Sequence, residues 1–223
     1  GGFSLATITE SHLAARNDVA VTPAGLLIRR RSSSSGSALE AGFDNSAAGY
    51  GPFDTVIGHN NAIGYGGASG GDSVVIGRNN SSGSLGFNTA IGTYNEVFGG
   101  NAMAVGDSNQ VTGLYGSAMG SLNDVTAAGA GSVGYSNVAS APDAYAFGAF
   151  NTASGQESMA LGRYNSAIAY RSIVLGTDAA VVSSGSQGMA LGSLAAVRGP
   201  YTTNIGGPII IRRGGGTLTN PFL

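Results

Sequence analysis

The chain contains no cysteine, no tryptophan and, because all ten of its basic residues are arginine, no lysine. Without cysteine there is neither a disulfide framework nor a thiolate metal site, and thiols say nothing about the redox compartment. Charged residues make up 10% of the chain and the formal net charge is −2. That leaves no electrostatic footprint for nucleic acid. The basic clusters are confined to Arg29, Arg30 and Arg31, and to Arg212 with Arg213. No apolar run approaches the roughly 18 residues of a membrane-spanning helix, so no membrane insertion is expected. The sequence opens at Gly1 with no basic start followed by an apolar stretch, which reads as a processed protein or a fragment.

What is abundant is glycine, 39 of 223 residues, roughly 2.5 times the usual share. Apolar residues still amount to 42%, so low hydrophobicity does not impose disorder. The glycine must serve the backbone.

A fixed period supplies the reason. A larger apolar residue followed by Gly recurs at Gly92, Gly106, Gly120, Gly134, Gly148, Gly162, Gly176, Gly192 and Gly206, with spacings of 14 except one of 16. Upstream the signature continues less evenly at Ile57-Gly58, Ile63-Gly64 and Ile76-Gly77. Three residues after these glycines comes Asn, at Asn61, Asn80, Asn95, Asn109, Asn123, Asn137, Asn151 and Asn165, before the series lapses to Ala179 and Ala195. Both residue types tolerate left-handed backbone, so G-x-x-N reads as one tight turn per unit. Asn at one fixed position also stacks into a hydrogen-bonded ladder between coils. Fourteen residues fit two short strands of four or five residues and two turns, one coil of a narrow parallel β-solenoid.

Side-chain size along the unit assigns the faces. Two and four residues before the glycine the side chains are small, as at Ala102 and Ala104 or Ala144 and Ala146, and alternation places them inside. Between and beside them stand Met103 and Val105, Tyr145 and Phe147, and Met159 and Leu161, pointing outward. The second strand turns Val97, Val111, Val125, Ala139, Ala153 and Ala167 inward and mostly polar residues such as Glu96, Gln110, Asp124 and Thr152 outward. One outer sheet is wet and the other greasy. An apolar ladder over eight or so coils exceeds the few hundred Å² that a soluble monomer exposes, so the expectation is a homo-oligomer of three copies. Its core is expected from Val105, Met119, Val133, Phe147, Leu161, Leu175 and Leu191.

The units SAMGSLNDVTAAG (117–129), AFGAFNTASGQESMALG (146–162) and SVVIGRNNSSG (73–83) resemble the head repeats of trimeric autotransporter adhesins of the YadA type. The resemblance covers about residues 40 to 206. It implies a trimer of left-handed parallel β-rolls that binds host surface molecules; similar repeats occur in phage tail fibres. The sequence has no recognisable neck motif, coiled-coil stalk or membrane-anchor barrel after residue 206, which fits an excised head or a virion fibre.

The expected division is an N-terminal cap or attachment segment (1–41), a repeat array (42–206) and a C-terminal cap or tip (207–223). In the first, residues 5–9 and 19–22 alternate like strands, and the stretch from Arg29 to Gly36 reads as a solvated loop. Either end segment is a place for another fibre component to dock.

Chemistry finds little support. His12 and His59 lie far apart and outside any metal motif. Asp107, Asp124, Asp143, Glu157 and Asp178 fall on different repeat positions, unlike the carboxylate pair of a polysaccharide hydrolase. The Gly-rich stretch 64–73 lacks the Lys of a phosphate-binding loop. No cofactor is expected. For specific recognition the best segment is the loop-like stretch from Tyr50 to Asp72, which breaks the period and supplies Tyr50, Phe53, His59, Tyr65 and Asp72. The leading expectation is a non-enzymatic attachment fibre, extracellular on a bacterial or virion surface, that binds a glycan or protein receptor. A structural spacer is the alternative, and a tail-spike hydrolase a weaker one.

Overall fold

Each coil closes because its corners adopt backbone conformations that the neighbouring coils hold in place. The computed structural model describes residues 18–20, 27–33, 36–47, 54–64, 72–83, 86–206, 212–213 and 216–217. Within them the chain is an all-β parallel solenoid. Long strands, mostly of five residues, alternate with two-residue strands, and each kind stacks into its own sheet. The long-strand sheet runs parallel from Gly36–Phe43 to Thr203–Ile205, and the short-strand sheet from Ser46–Ala47 to Ala196–Val197. Twelve parallel long strands at about 4.8 Å each make a column about 50 Å long. The register is strict: Gly106 stands over Gly120, which stands over Gly134.

The anchor glycines from Gly42 to Gly162 that carry positive φ lie between +113° and +126°. A Cβ at any of them would collide with the carbonyl oxygen of the next coil's glycine. No larger residue fits there. Two further corner positions recur in left-handed backbone in most coils, and the non-glycine residues there have φ between +51° and +59°. One is two residues after the glycine (Ser108, Leu122, Ser136, Phe150, Tyr164), the other five before it (Asn101, Tyr115, Asp143, Glu157, Arg171). Left-handed backbone costs a non-glycine residue about 1–2 kcal/mol. Coil-to-coil hydrogen bonds offset this: the Phe150 N–H donates to the Tyr135 carbonyl (2.9 Å) and the Glu157 N–H to the Pro142 carbonyl (2.9 Å).

The asparagine therefore has a different task from the turn residue that its type suggests. The left-handed residue is the one before it, and the Asn side chain itself is buried in a ladder. Each Nδ2 from Asn61 to Asn151 donates to the Oδ1 of the preceding Asn at 2.9–3.1 Å. The Nδ2 of Asn137 also donates to the carbonyls of Val133 (3.2 Å) and Gly148 (2.8 Å). Its Oδ1 accepts from the N–H and Nδ2 of Asn151, both at 3.0 Å. The last rung, Asn165, accepts from the Ala179 N–H, where the series ends.

The rest of the interior is filled by small side chains. Ala104, Ala118, Ala146 and Ala160 from the long strands face Val97, Val111, Val125 and Ala153 from the short ones, all essentially without exposed surface. Other details depart from the sequence reading. The second strand has two residues rather than four or five. Ile63 belongs to a short strand and points inward, so Ile63-Gly64 is no anchor. Gly42 and Asn45 supply a coil that the ruler missed, with Asn45 Nδ2 donating to the Ala41 carbonyl at 2.9 Å. Arg29–Ser33 lies in the strand Leu27–Ser33, antiparallel to Gly36–Phe43, so this stretch is a hairpin rather than a loop. It continues the long-strand sheet beyond the first coil. Residues 5–9 and most of 207–223 lie outside the described residues.

Two substitutions test this scaffold. Asn137→Ala strands the Gly148 carbonyl and the Asn151 N–H in the interior and should cost about 3 kcal/mol or more in denaturant unfolding. Asn137→Asp, which keeps the acceptor and loses both donors, should be no better. Ser132, whose buried Oγ has no partner where other coils carry Ala, should become Ala with a gain of about 1 kcal/mol.

Candidate functional site

The outward face of the long-strand sheet has three rows. The middle row, one residue before the glycine, holds Val105, Met119, Val133, Phe147, Leu161, Leu175 and Leu191 in unbroken register. It continues upstream through Ile57, Ile76 and Ile91 and ends at Ile205. These side chains cannot turn inward, where only Ala, Ser or Val fits, so they stay half exposed in the single chain: Met119 44%, Leu161 39%, Leu175 45%. The row two residues earlier adds Met103, Tyr145, Met159, Ile173 and Met189. All four methionines of the chain stand on this face.

The third row follows the glycine and carries His59, Arg78, Asp107, Tyr135 and Arg163. Beside it, at the left-handed corner, lie Tyr94, Leu122, Phe150, Tyr164 and Leu194, all exposed. Phe150 and Tyr164 stack at 4.9 Å, Tyr135 meets Phe150 edge-on at 5.2 Å, and Arg163 lies 4.7 Å from the Tyr164 ring centre. Much of the ring-face area on which a sugar would stack is thus taken up within the chain. Arg78 reaches the Tyr94 hydroxyl (3.5 Å), and this hydrogen bond, then the guanidinium charge, lowers the phenol's pKa. The opposite edge of the sheet carries Tyr115, Asp143, Glu157, Arg171 and Tyr201. There Arg171 Nε donates to Glu157 Oε2 at 2.7 Å, and this bond, then the Glu157 charge, raises the guanidinium's pKa. The sequence reading overlooked these edge rows, although each sits at a constant offset from the glycine.

The residues expected to bind a receptor are not all placed. Tyr50, Phe53 and Tyr65 lie outside the described residues. His59 ends the strand Thr55–His59, with Nε2 3.6 Å from Asp44 Oδ2. Asp72 precedes the strand Val74–Arg78 on the opposite edge of the sheet, so the structure does not bring these two together. The stretch is not one loop, since it contains the strands Thr55–His59 and Ala62–Ile63. Of the carboxylates, Asp143 and Glu157 do share one repeat position, five before the glycine, in successive coils. Both are exposed on a corner, and Glu157 is held by Arg171.

The short-strand face is polar and small, with one unusual member. Asp124 begins the strand Asp124–Val125, and its buried Oδ1 has no hydrogen-bond partner. Desolvation raises its pKa above the ordinary 3.8. A raised carboxyl pKa stabilises the fold below the ordinary value, and that stability is lost as pH rises through the folded value. Asp124→Asn should therefore raise the thermal midpoint at pH 7, and the advantage should vanish below about pH 4, as read by calorimetry across pH.

No curated protein matches the chain. The family model of the YadA head domain repeat (2 copies) matches residues 99–123, 139–165 and 153–179. The matched segments lie in the part of the chain that keeps the fourteen-residue spacing, and over them the sequence is similar to YadA-type head repeats.

Proposed function

We propose that the chain is the non-enzymatic head of a homotrimeric attachment fibre, a trimer of left-handed parallel β-rolls that binds a glycan or protein receptor on a cell surface. The observation that carries the reading is the half-exposed apolar ladder on repeats of the YadA head type. Heads of that type belong to adhesins, form trimers and stand on the cell surface, which supports a location outside the cell; a virion surface is the other location consistent with such a fibre.

The dimensions of the sheet support three copies. A five-residue strand spans about 17 Å, and packed sheets lie about 10 Å apart. A triangle with sides of about 17 Å has its centre about 5 Å from each side, half the normal sheet separation. Three long-strand sheets so arranged enclose one layer of side chains from each. Four would hold opposite sheets about 17 Å apart, about 7 Å more than the side chains of two packed sheets fill. Two would cover the face but leave the corner residues Tyr164 and Tyr115 in water. Burying each large side chain contributes roughly 1.5–3 kcal/mol, so a row of seven per chain holds the trimer firmly.

Receptor contact is assigned to the segment from Tyr50 to Asp72. In regular coils five residues separate Val111 from Ser117, whereas ten separate Ile63 from Val74. The extra length falls in the sequence between the strands Ala62–Ile63 and Val74–Arg78 and carries Tyr65 and Asp72, with Tyr50 and Phe53 ahead of the strand Thr55–His59.

Two outcomes are expected. Leu161→Asp buries a carboxylate at the trimer axis and should convert the protein to single chains in sedimentation, whereas Thr126→Asp on the short-strand face should leave the three-chain mass unchanged. Labelled trimer should bind whole cells, or a glycan and matrix-protein array, saturably at micromolar concentration or below. Replacing Tyr50, Phe53 and Tyr65 by Ser should weaken that binding about tenfold or more. No saturable binding in this range would reassign the chain to a stiff spacer.

A further inference from the structure

The trimer reading has a consequence for how its subunits find their axial register. Closure about a threefold axis is heterologous, so different surfaces of neighbouring copies meet. With the long-strand sheets turned to the axis, the edge that follows the anchor glycine in one copy meets the edge that precedes it in the next.

Both edges hold bulky exposed side chains in left-handed backbone. Tyr94, Leu122, Phe150, Tyr164 and Leu194 occupy one, Tyr115 and Tyr201 the other. At such positions Gly or Asn is the low-cost choice, and a large apolar residue is an outlier. Even where such rings stack within one chain, as Phe150 does on Tyr164, they keep a third or more of their surface exposed.

Two successive coils carry opposite charges on the two edges. In the coil anchored by Gly162, Glu157 stands five residues before the glycine and Arg163 one after it. In the coil anchored by Gly176, Arg171 stands five before and Asp178 two after. Within one chain the two ends of such a strand are roughly 20 Å apart, too far to pair with each other.

We propose that the edges meet across each subunit seam with no axial offset, so that Arg163 of one copy pairs with Glu157 of its neighbour and Asp178 with Arg171. The inference rests on the trimer reading and adds its register. Glu157 and Arg171 are already joined in one chain at 2.7 Å. Arg163 and Asp178 lie in successive coils, the Asp178 N–H donating to the Arg163 carbonyl at 3.0 Å. Facing each other, these two pairs form a closed square of alternating charge. A slip of one coil destroys it in either direction. One slip sets Arg163 against Arg171, and the other sets Asp178 against Glu157. The identical apolar rows would otherwise tolerate such a slip, because Leu161 and Leu175 differ little from their neighbours in the ladder. The charged edges supply specificity where the greasy face supplies adhesion.

The absence of natural cysteine makes the test direct. Three double variants pair Arg163→Cys with Glu157→Cys, with Asp143→Cys or with Arg171→Cys, and each is oxidised under native conditions. Disulfides need Cβ atoms about 3.5–4.5 Å apart, close to one coil's rise. The pairing with position 157 should form covalent three-chain species roughly tenfold faster than either shifted pairing. Faster closure with position 143 or 171, or no closure with any, overturns the seam. Sedimentation of the same reduced proteins keeps the two readings apart. A three-chain mass without closure at position 157 overturns the register alone, and a single-chain mass overturns the trimer and the seam with it.

Discussion

The narrowness of the coil governs everything else. Successive coils approach so closely at the anchor glycines that a single Cβ would strike the next carbonyl. Among the described residues the space they enclose holds mainly Ala, Ser, Val and a column of Asn, with Ile63 as its largest side chain. It has little room for large apolar side chains, yet the chain contains many. They are forced onto the outside of the long-strand sheet, and on the proposed reading other copies of the chain cover them. Interior packing and assembly are thus one constraint seen from two sides.

The asparagine ladder makes such a thin interior stable. A column without bulky side chains gains little from hydrophobic burial, and each buried Asn compensates by satisfying backbone groups of its own and the next coil while bonding to the Asn of the coil before. Cooperativity follows, because every rung is held by the one before it. Where the column ends at Asn165, Ala179 and Ala195 take the position and remain buried.

The periodic features were legible in the sequence because alternation and spacing encode them directly. The anchor glycines, the inward alanines and valines, and the outward ladder from Val105 to Leu191 all follow from residue size at fixed offsets. What escaped was set by backbone geometry. The left-handed corner sits on whichever residue precedes Asn, and Tyr164 or Leu122 gives no hint of it. The coil at Gly42 was hidden because Ala41, not a large apolar residue, precedes the glycine. Ile63-Gly64 imitated an anchor because a short strand also places an apolar residue before Gly. The antiparallel hairpin containing Arg29, Arg30 and Arg31 has no period at all, and its charges suggested a loop. Of the expected receptor residues, His59 and Asp72 fall on opposite edges of one sheet, a separation that sequence proximity concealed.

The four methionines offer the most direct measurement, since all of them stand on the face that other copies are held to cover. Met103, Met119, Met159 and Met189 can be oxidised by dilute peroxide in the folded protein and the sulfoxides located by peptide mass. The account predicts that oxidation at all four is strongly suppressed in the native assembly, whose mass is three times the 21.9 kDa of one chain, and restored on unfolding. Rapid oxidation of Met119 and Met159 in a protein that remains folded, at a rate near that of the unfolded chain, would contradict it.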